Sequence, residues 1–148
     1  LEHVINPNQC VSEITRVLKT DGYVYAETPF MQQVHMAPYD FTRFTYLGHR
    51  FLFDQYDVLE SGFVLGPGSA LAWSYMYFLM SFTHNKWIKY AFMGWAHLTA
   101  FWLKYFDYFL INKEDALDAA SGYYFIFQKR YETLNYDELL KSFKGGSL

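Results

Sequence analysis

Between Ser61 and Asn85 the chain carries no Asp, Glu, Lys or Arg, and the run SALAWSYMYFLMSF at 69–82 is apolar nearly all round when wound as a helix. A helix without a polar face must be enclosed by protein or meet lipid. A second helical pattern follows from Lys86 to Ile111, in which Ile88, Phe92, Trp95, Trp102, Phe106 and Phe109 recur on one face. Lys89, His97, Lys104 and Asp107 form a narrow polar strip on the other. The two segments are expected as a hydrophobic helical hairpin. Aromatic residues make up 22% of the chain and concentrate between Trp73 and Phe109, more than a small core requires. Crossing a bilayer takes about 20 largely apolar residues. The first helix falls short between Gly68 and His84, and Lys104 and Asp107 interrupt the second. A lid over a pocket, or a surface lying in the headgroup layer, is therefore expected before a transmembrane span.

The remaining sequence is that of one domain, the size class of a chain of 148 residues. A formal net charge of -3 leaves no basic footprint, so nucleic acid is not an expected partner. The single cysteine, Cys10, has no partner for an internal disulfide, which fits a reducing cytosol, and it falls on the apolar side of its helix as a small core residue. No signal-peptide pattern opens the residues given. The expected location is cytoplasmic, with the hairpin touching a membrane at most peripherally.

Local signals divide the chain further. Asn6 as N-cap and Pro7 at the first helical position start a helix over 7–19, with Cys10, Val11, Ile14, Val17 and Leu18 as its apolar stripe. Asp21-Gly22 ends it, Gly22 being the residue suited to a left-handed turn. Tyr23 to Thr28 reads as a strand stopped by Pro29. Residues 30–45 show no sustained period and read as a loop of functional length. Thr45 can cap a short helix through about Phe53, with Leu47, Phe51 and Leu52 inward. Asp57 to Leu65 is a second strand bent at Gly62 and closed by Gly66-Pro67-Gly68, and Ser121 to Arg130 a third. Asn135 or Thr133 caps a final helix carrying Leu139, Leu140 and Phe143. Helix, tight turn and buried strand in that order make half of a parallel α/β unit.

The opening LEHV, the Asn6-Pro7 helix start, and EITRVLKTDG leading into a strand resemble the fourth-strand to fifth-strand portion of class I S-adenosylmethionine-dependent methyltransferases, whose usual wording there is LEHV followed by RVLKPGG. Thr20-Asp21-Gly22 stands in place of Pro-Gly-Gly and keeps turn-forming chemistry. HMAPYDFTRFT, SGFVLGPGSALAW and DALDAASGYYF are similar to one branch of that family, so the resemblance runs through Arg130. It implies a Rossmann-like α/β fold whose last strand inserts antiparallel beside the fifth. Tyr23–Thr28, Asp57–Leu65 and Ser121–Arg130 would be strands five, six and seven, the hairpin at 69–111 an insertion, and 131–148 a C-terminal helix and tail. In such sheets a glycine-rich turn after the first strand lets backbone approach the cofactor, and this sequence contains no G-x-G-x-G. Residues 1–148 are thus expected to be a single partial methyltransferase domain, the substrate-side half of a longer chain, inactive alone.

The resemblance further implies S-adenosylmethionine as cofactor, with Glu2 and His3 beside its sulfonium, and a small-molecule acceptor under the loop that carries His35, Asp40 and Arg43. Asp40 and Arg43 could equally form an ion pair that shapes the loop. The five histidines, His3, His35, His49, His84 and His97, show no metal-ligand spacing, so no metal is expected. Methyl transfer gains chiefly from alignment of acceptor and methyl, and no catalytic base is named. The alternative reading is a non-catalytic protein whose aromatic hairpin binds membrane or a partner.

Overall fold

Helix α1 (Pro7–Val17) begins where the Gln9 amide donates to the Asn6 side chain at 3.1 Å, with Pro7 at the first position as its sequence requires. In the computed structural model, which describes residues 1–146, only Val11 of this helix is fully buried, and Leu18 just beyond it packs on the core. Ser147 and Leu148, the end of the expected tail, lie outside the described residues. Val17 is exposed and Cys10 half-buried, against expectation. At ~100° per residue Val17 sits on the far side of the helix from Val11. Thr15 takes the inward place instead, donating to the Val11 carbonyl and meeting the Tyr56 hydroxyl, each at 2.8 Å. The turn after α1 also differs. Asp21 adopts the left-handed conformation (φ 60°), while Gly22 does not. What Gly22 supplies is room, because a Cβ there would come within 2.7 Å of the Leu18 side chain.

Strands β1 (Tyr23–Pro29), β2 (Tyr56–Leu65) and β3 (Gly122–Lys129) form one sheet in the order β1-β3-β2. β3 is antiparallel to both neighbours, pairing Tyr25 with Ile126 on one side and Asp57 with Gln128 on the other, so β1 and β2 run parallel with β3 between them. The register of β2 shifts between Val58 and Glu60 and between Phe63 and Leu65, on either side of Gly62 rather than at it.

Alternation along β3 sends Tyr123, Phe125 and Phe127 to one face, where all three are buried. Phe127 stacks on Phe53 (ring centroids 4.4 Å) and Phe125 lies 4.8 Å from Tyr46. Helix α2 (Tyr46–Leu52), capped by Thr45 accepting from the Gly48 amide, covers this face with α1. Its inward residues are Tyr46, His49 and Arg50; Leu47 and Leu52 pack at the margin and Phe51 is exposed, so the helix is rotated from the expected face. Two polar side chains in the interior are bonded there at some of their polar atoms, while His49 Nε2 and Arg50 Nε stay buried without a partner. His49 Nδ1 lies 2.8 Å from Thr28 Oγ1, and the Arg50 guanidinium donates to the carbonyls of Phe53 and Tyr56, the latter at 2.7 Å. Lys129 donates to the carbonyls of Thr15 (2.6 Å) and Leu18 (2.8 Å), closing the end of α1 onto β3.

The hairpin forms as α3 (Pro67–Met80) and α4 (Lys86–Ala100). Gly66 is the N-cap of α3 and Pro67 its first residue, so the Gly-Pro-Gly cluster opens a helix as well as ending a strand. The expected second helix stops at Ala100. The chain goes on as a tight 3-10 turn, Phe101–Phe106, and a short helix α5 (Asp107–Leu110). That break returns Asp107 to the start of α3, where its carboxylate accepts from the amides of Gly66 (3.1 Å), Gly68 (2.7 Å) and Ser69 (3.1 Å) and from the Ser69 hydroxyl (2.6 Å). Asp107, assigned to a polar strip from sequence, is thus the cap of the other helix. The buried residues of α3 and α4 are small: Gly68, Ala70, Ala96 and Ala100. A Cβ on Gly68 would collide with the Leu103 carbonyl oxygen. Close helix approach therefore turns the aromatic stripe outward, and Trp87, Trp95, Trp102 and Phe109 are exposed.

A 3-10 turn, Glu114–Ala119, leads into β3, and α6 (Tyr136–Lys141) follows it with a capping box of Asn135 and Glu138. Leu139 is buried, while Leu140 and Phe143 stay exposed. No helix among the described residues is long and apolar enough to cross a membrane.

Replacing Asp107 by Ala leaves three amides of α3 without an acceptor and is expected to lower stability by about 2 kcal/mol in urea unfolding, with Asp107→Asn costing less. His49 gives a pH signature. Burial pushes its imidazole down to about 3, so between that value and the ordinary ~6.5 the unfolded chain binds a proton that the folded chain does not. Stability therefore falls as pH drops below 6.5, by up to ~1.4 kcal/mol per pH unit. Urea midpoints of the wild type and His49→Phe compared at pH 7 and pH 5 are expected to show the smaller acid loss in the variant.

Candidate functional site

Parallel strands separated by an antiparallel one bring their carboxyl ends to the same edge of the sheet. Here Thr28 and Pro29 of β1, Val64 and Leu65 of β2, and Ser121 and Gly122 at the start of β3 border a cavity of about 220 Å³. Backbone pairing runs past the strands to wall it. Phe30 donates to the Ser121 carbonyl at 2.7 Å, and Ser121 to that of Leu65 at 2.8 Å. The Ser121 hydroxyl is buried there without a partner. Glu2 and Gln32 close the mouth.

Both mouth residues come from irregular chain, and what fixes that chain is polar. The loop after β1 contains a cis Ala37-Pro38 peptide and Met36 in the left-handed region. Within it the Arg43 guanidinium grips both oxygens of Asp40, one at 2.6 Å, and also donates to the carbonyls of Gln32 (2.9 Å) and Gln33 (3.1 Å). The His35 amide donates to Asp40 Oδ2 at 2.7 Å. Only 1% of the Asp40 side chain is exposed. Hydrogen bonding from Arg43 holds the Asp40 carboxyl far below the usual carboxylate range, and the same bonds raise the guanidinium. Asp40 and Arg43, candidates for substrate contact by resemblance, therefore sit as the clasp of the loop, the local ion pair that their spacing also allowed.

The clasped loop is strapped to the first residues of the chain. Phe41 donates its amide to the Glu2 carbonyl at 2.9 Å, and His3 Nδ1 lies 2.6 Å from the Tyr39 carbonyl oxygen. The strap sets three side chains side by side. Glu2 Oε1 is 3.5 Å from His3 Nε2 and 3.9 Å from His35 Nε2, and the two imidazoles meet edge to face at 5.0 Å. Partial burial works to raise the Glu2 carboxyl, against a hydrogen bond from its own amide and the nearby His3, which work to lower it. All five residues proposed from sequence thus fall in one neighbourhood, Glu2, His3 and His35 as an open cluster and Asp40 and Arg43 as its support.

Two larger cavities adjoin. One of about 520 Å³ lies in the hairpin, walled by Trp73, Met76, Ala96 and Phe101 with His97 and Lys104 at its edge, and it shares Leu65 with the strand-end cavity. Lys104 stands over the Phe101 ring at 4.2 Å. The other, also about 520 Å³, runs under the loop beside Arg43, shares Gln32 with the strand-end cavity, and shares Tyr77 with the hairpin cavity. Gln33 ties loop to hairpin by donating to Ser74 Oγ at 2.9 Å, and its own Oε1 is buried without a partner. Sequence reasoning passed over Gln32 and Gln33, which belong to no motif, and placed Ser121 only at the start of a strand.

The neighbourhood offers a carboxylate, two imidazoles, and a small polar cavity that shares Leu65 with a larger apolar one. It can hold a proton or a cation at its rim and align a mostly apolar molecule. Comparison with protein-family models, curated proteins and solved structures finds no match to this chain.

Proposed function

We propose that this chain is the substrate-side portion of a class I S-adenosylmethionine-dependent methyltransferase acting on a small, apolar or lipid-linked acceptor. The observation that carries the reading is the cavity at the carboxyl ends of β1 and β2, with Glu2 at its mouth. Open α/β sheets bind ligands at that edge. β3 lies antiparallel beside β1, and the resemblance implies an antiparallel last strand beside the fifth, which supports the reading.

Sheet chemistry supports a larger sheet than these strands make. β1 pairs only with β3, so its outer edge offers unpaired amides and carbonyls. Tyr23 and Tyr25 of β1 are more than half exposed. Further strands docking on that edge would cover it and would bring the glycine-rich turn this sequence lacks. On this reading Glu2 and His3 contribute the rim of the S-adenosylmethionine site, His35 faces the acceptor, and Asp40 with Arg43 keeps the loop in place. The hairpin cavity receives the apolar part of the acceptor, and the reaction depends on alignment in a site shielded from water.

A second observation favours contact with lipid. Trp87, Tyr90, Trp95, Leu98, Trp102 and Phe109 expose much of their surface on one hairpin, beside Lys86, Lys89 and Lys104. Aromatic residues with basic neighbours suit the headgroup layer. The non-catalytic alternative retains this surface and no S-adenosylmethionine.

The protein extended through its upstream coding sequence is expected to bind S-adenosylmethionine at one equivalent by calorimetry, and residues 1–148 alone to give no heat. Absence of binding by the extended protein would reject the methyltransferase reading; tight binding by residues 1–148 would reject the division of the site. For the hairpin, cosedimentation with anionic vesicles and a blue shift of tryptophan fluorescence are expected. A Trp87→Ser, Trp95→Ser, Trp102→Ser variant should lose both.

A further inference from the structure

The three side chains at the strap are arranged around a point where something is needed. His3 Nδ1 lies 2.6 Å from the Tyr39 carbonyl oxygen, which can only accept, so the ring proton of neutral His3 is on Nδ1 and Nε2 carries the lone pair. His35 is set the same way. Its Nδ1 faces the Gln33 carbonyl at 3.4 Å and Asp40 Oδ2 at 3.6 Å, both acceptors. Its Nε2 turns toward Glu2 Oε1, as does that of His3. Two imidazole lone pairs and one carboxylate oxygen thus converge within 4.8 Å of one another.

We propose that Glu2, His3 and His35 form a three-ligand site for a divalent first-row transition ion of the zinc type, independent of the methyl-transfer reading above. Bonds of about 2.0–2.1 Å to nitrogen and oxygen place tetrahedral ligands roughly 3.3–3.4 Å apart. The two separations from Glu2, 3.5 Å and 3.9 Å, approach that spacing, and the imidazole ligand atoms lie within 4.8 Å of each other, so binding draws the rings together. All three residues are only half-buried, so closing the difference moves no core group. Two imidazoles with one carboxylate favour zinc, cobalt or iron over magnesium or calcium, which prefer oxygen ligands throughout.

The outer partners make the case beyond proximity. A ligating histidine usually donates its second ring N–H to a carbonyl or carboxylate, which fixes the tautomer and raises the basicity of the other nitrogen. Tyr39 serves His3 in this way, and Gln33 with Asp40 serves His35. Asp40 is buried and gripped by Arg43, so the backing of His35 is rigid. Three protein ligands leave a fourth position open, the pattern of catalytic rather than structural ions. Glu2 also borders the strand-end cavity, and the open position would take an oxygen or nitrogen of a molecule bound there. The site is invisible to spacing rules because His35 is contributed by a loop distant in sequence from Glu2 and His3.

The test is titration of chelator-treated full chain with Co²⁺, read by visible absorption, and with Zn²⁺, read by equilibrium dialysis, both without S-adenosylmethionine. One equivalent of each ion is expected to bind at micromolar or lower concentration, with the absorption of a four- or five-coordinate cobalt ion. His3→Ala and His35→Ala should each weaken binding by about 100-fold or more, while His84→Ala and His97→Ala leave it unchanged. A wild-type measurement stands apart from any folding defect in the variants: on zinc addition only the ring-nitrogen NMR signals of His3 and His35 should shift. No uptake, uptake surviving both site variants, or shifts confined to other histidines would overturn the proposal.

Discussion

The structure rests on one strand. β3 supplies every lateral hydrogen bond that joins β1 to β2, and its alternate residues Tyr123, Phe125 and Phe127 form the surface on which α1 and α2 lie. Aromatic rings bury the largest area per residue and pack edge to face or offset. That lets a short sheet close a core with few residues. The aromatic richness that first suggests a membrane or a ligand therefore has two destinations. The rings of β3 and α2 are spent inside. Many of those of the hairpin face outward, because the residues buried in α3 and α4 are alanines and Gly68, which meets the 3-10 turn at Leu103.

Polar groups set the geometry around this core. Arg50 and His49 lie inside it, bonded to backbone carbonyls and to Thr28, and Lys129 ties the end of α1 to β3. Each spans two elements that apolar contact alone would leave free to slide, since burial is roughly proportional to area and indifferent to register. Asp107 performs the same service for the hairpin. Its carboxylate meets amides that a Gly-Pro-Gly start cannot cap with a side chain of its own.

Much of this organisation was legible in the sequence. The Asn6-Pro7 start, the Thr45 and Asn135 caps and all three strands stand where local rules place them, since each signal acts within a few residues. Faces were harder. Val17 reads as apolar and lies outside, whereas His49 and Arg50 read as polar and lie inside, because the partners that decide it are contributed by other elements. The break at Ala100 was hidden for the same reason: nothing in residues 86–111 announces that Asp107 is needed at the start of α3. Among candidate site residues, Glu2, His3, His35, Asp40 and Arg43 were named from resemblance, and their assembly into one neighbourhood follows from the strap between Tyr39, Phe41 and the first residues of the chain. The roles within it were not legible. The spacing of Asp40 and Arg43 fits a clasp and a substrate contact equally; the ion pair forms, and both residues also border the cavity under the loop.

That clasp also explains how an irregular loop can hold His35 in place beside Glu2 and His3. An exposed ion pair is worth about 0–1 kcal/mol and could not order the loop after β1. A buried one is different, because removing either partner strands a charge, at about 3–5 kcal/mol. The Asp40 side chain is shielded from solvent while Arg43 stays a quarter exposed, so the pair lies between these limits; its hold on the loop comes from Arg43 meeting the Gln32 and Gln33 carbonyls as well, which fixes backbone and side chain together. His35 sits between the clasp and Glu2, and its imidazole inherits that rigidity through Asp40. His3 is held by one carbonyl at a half-exposed position. Of the two imidazoles, His35 is thus the better anchored, and of the three clustered side chains it is Glu2 that borders the strand-end cavity.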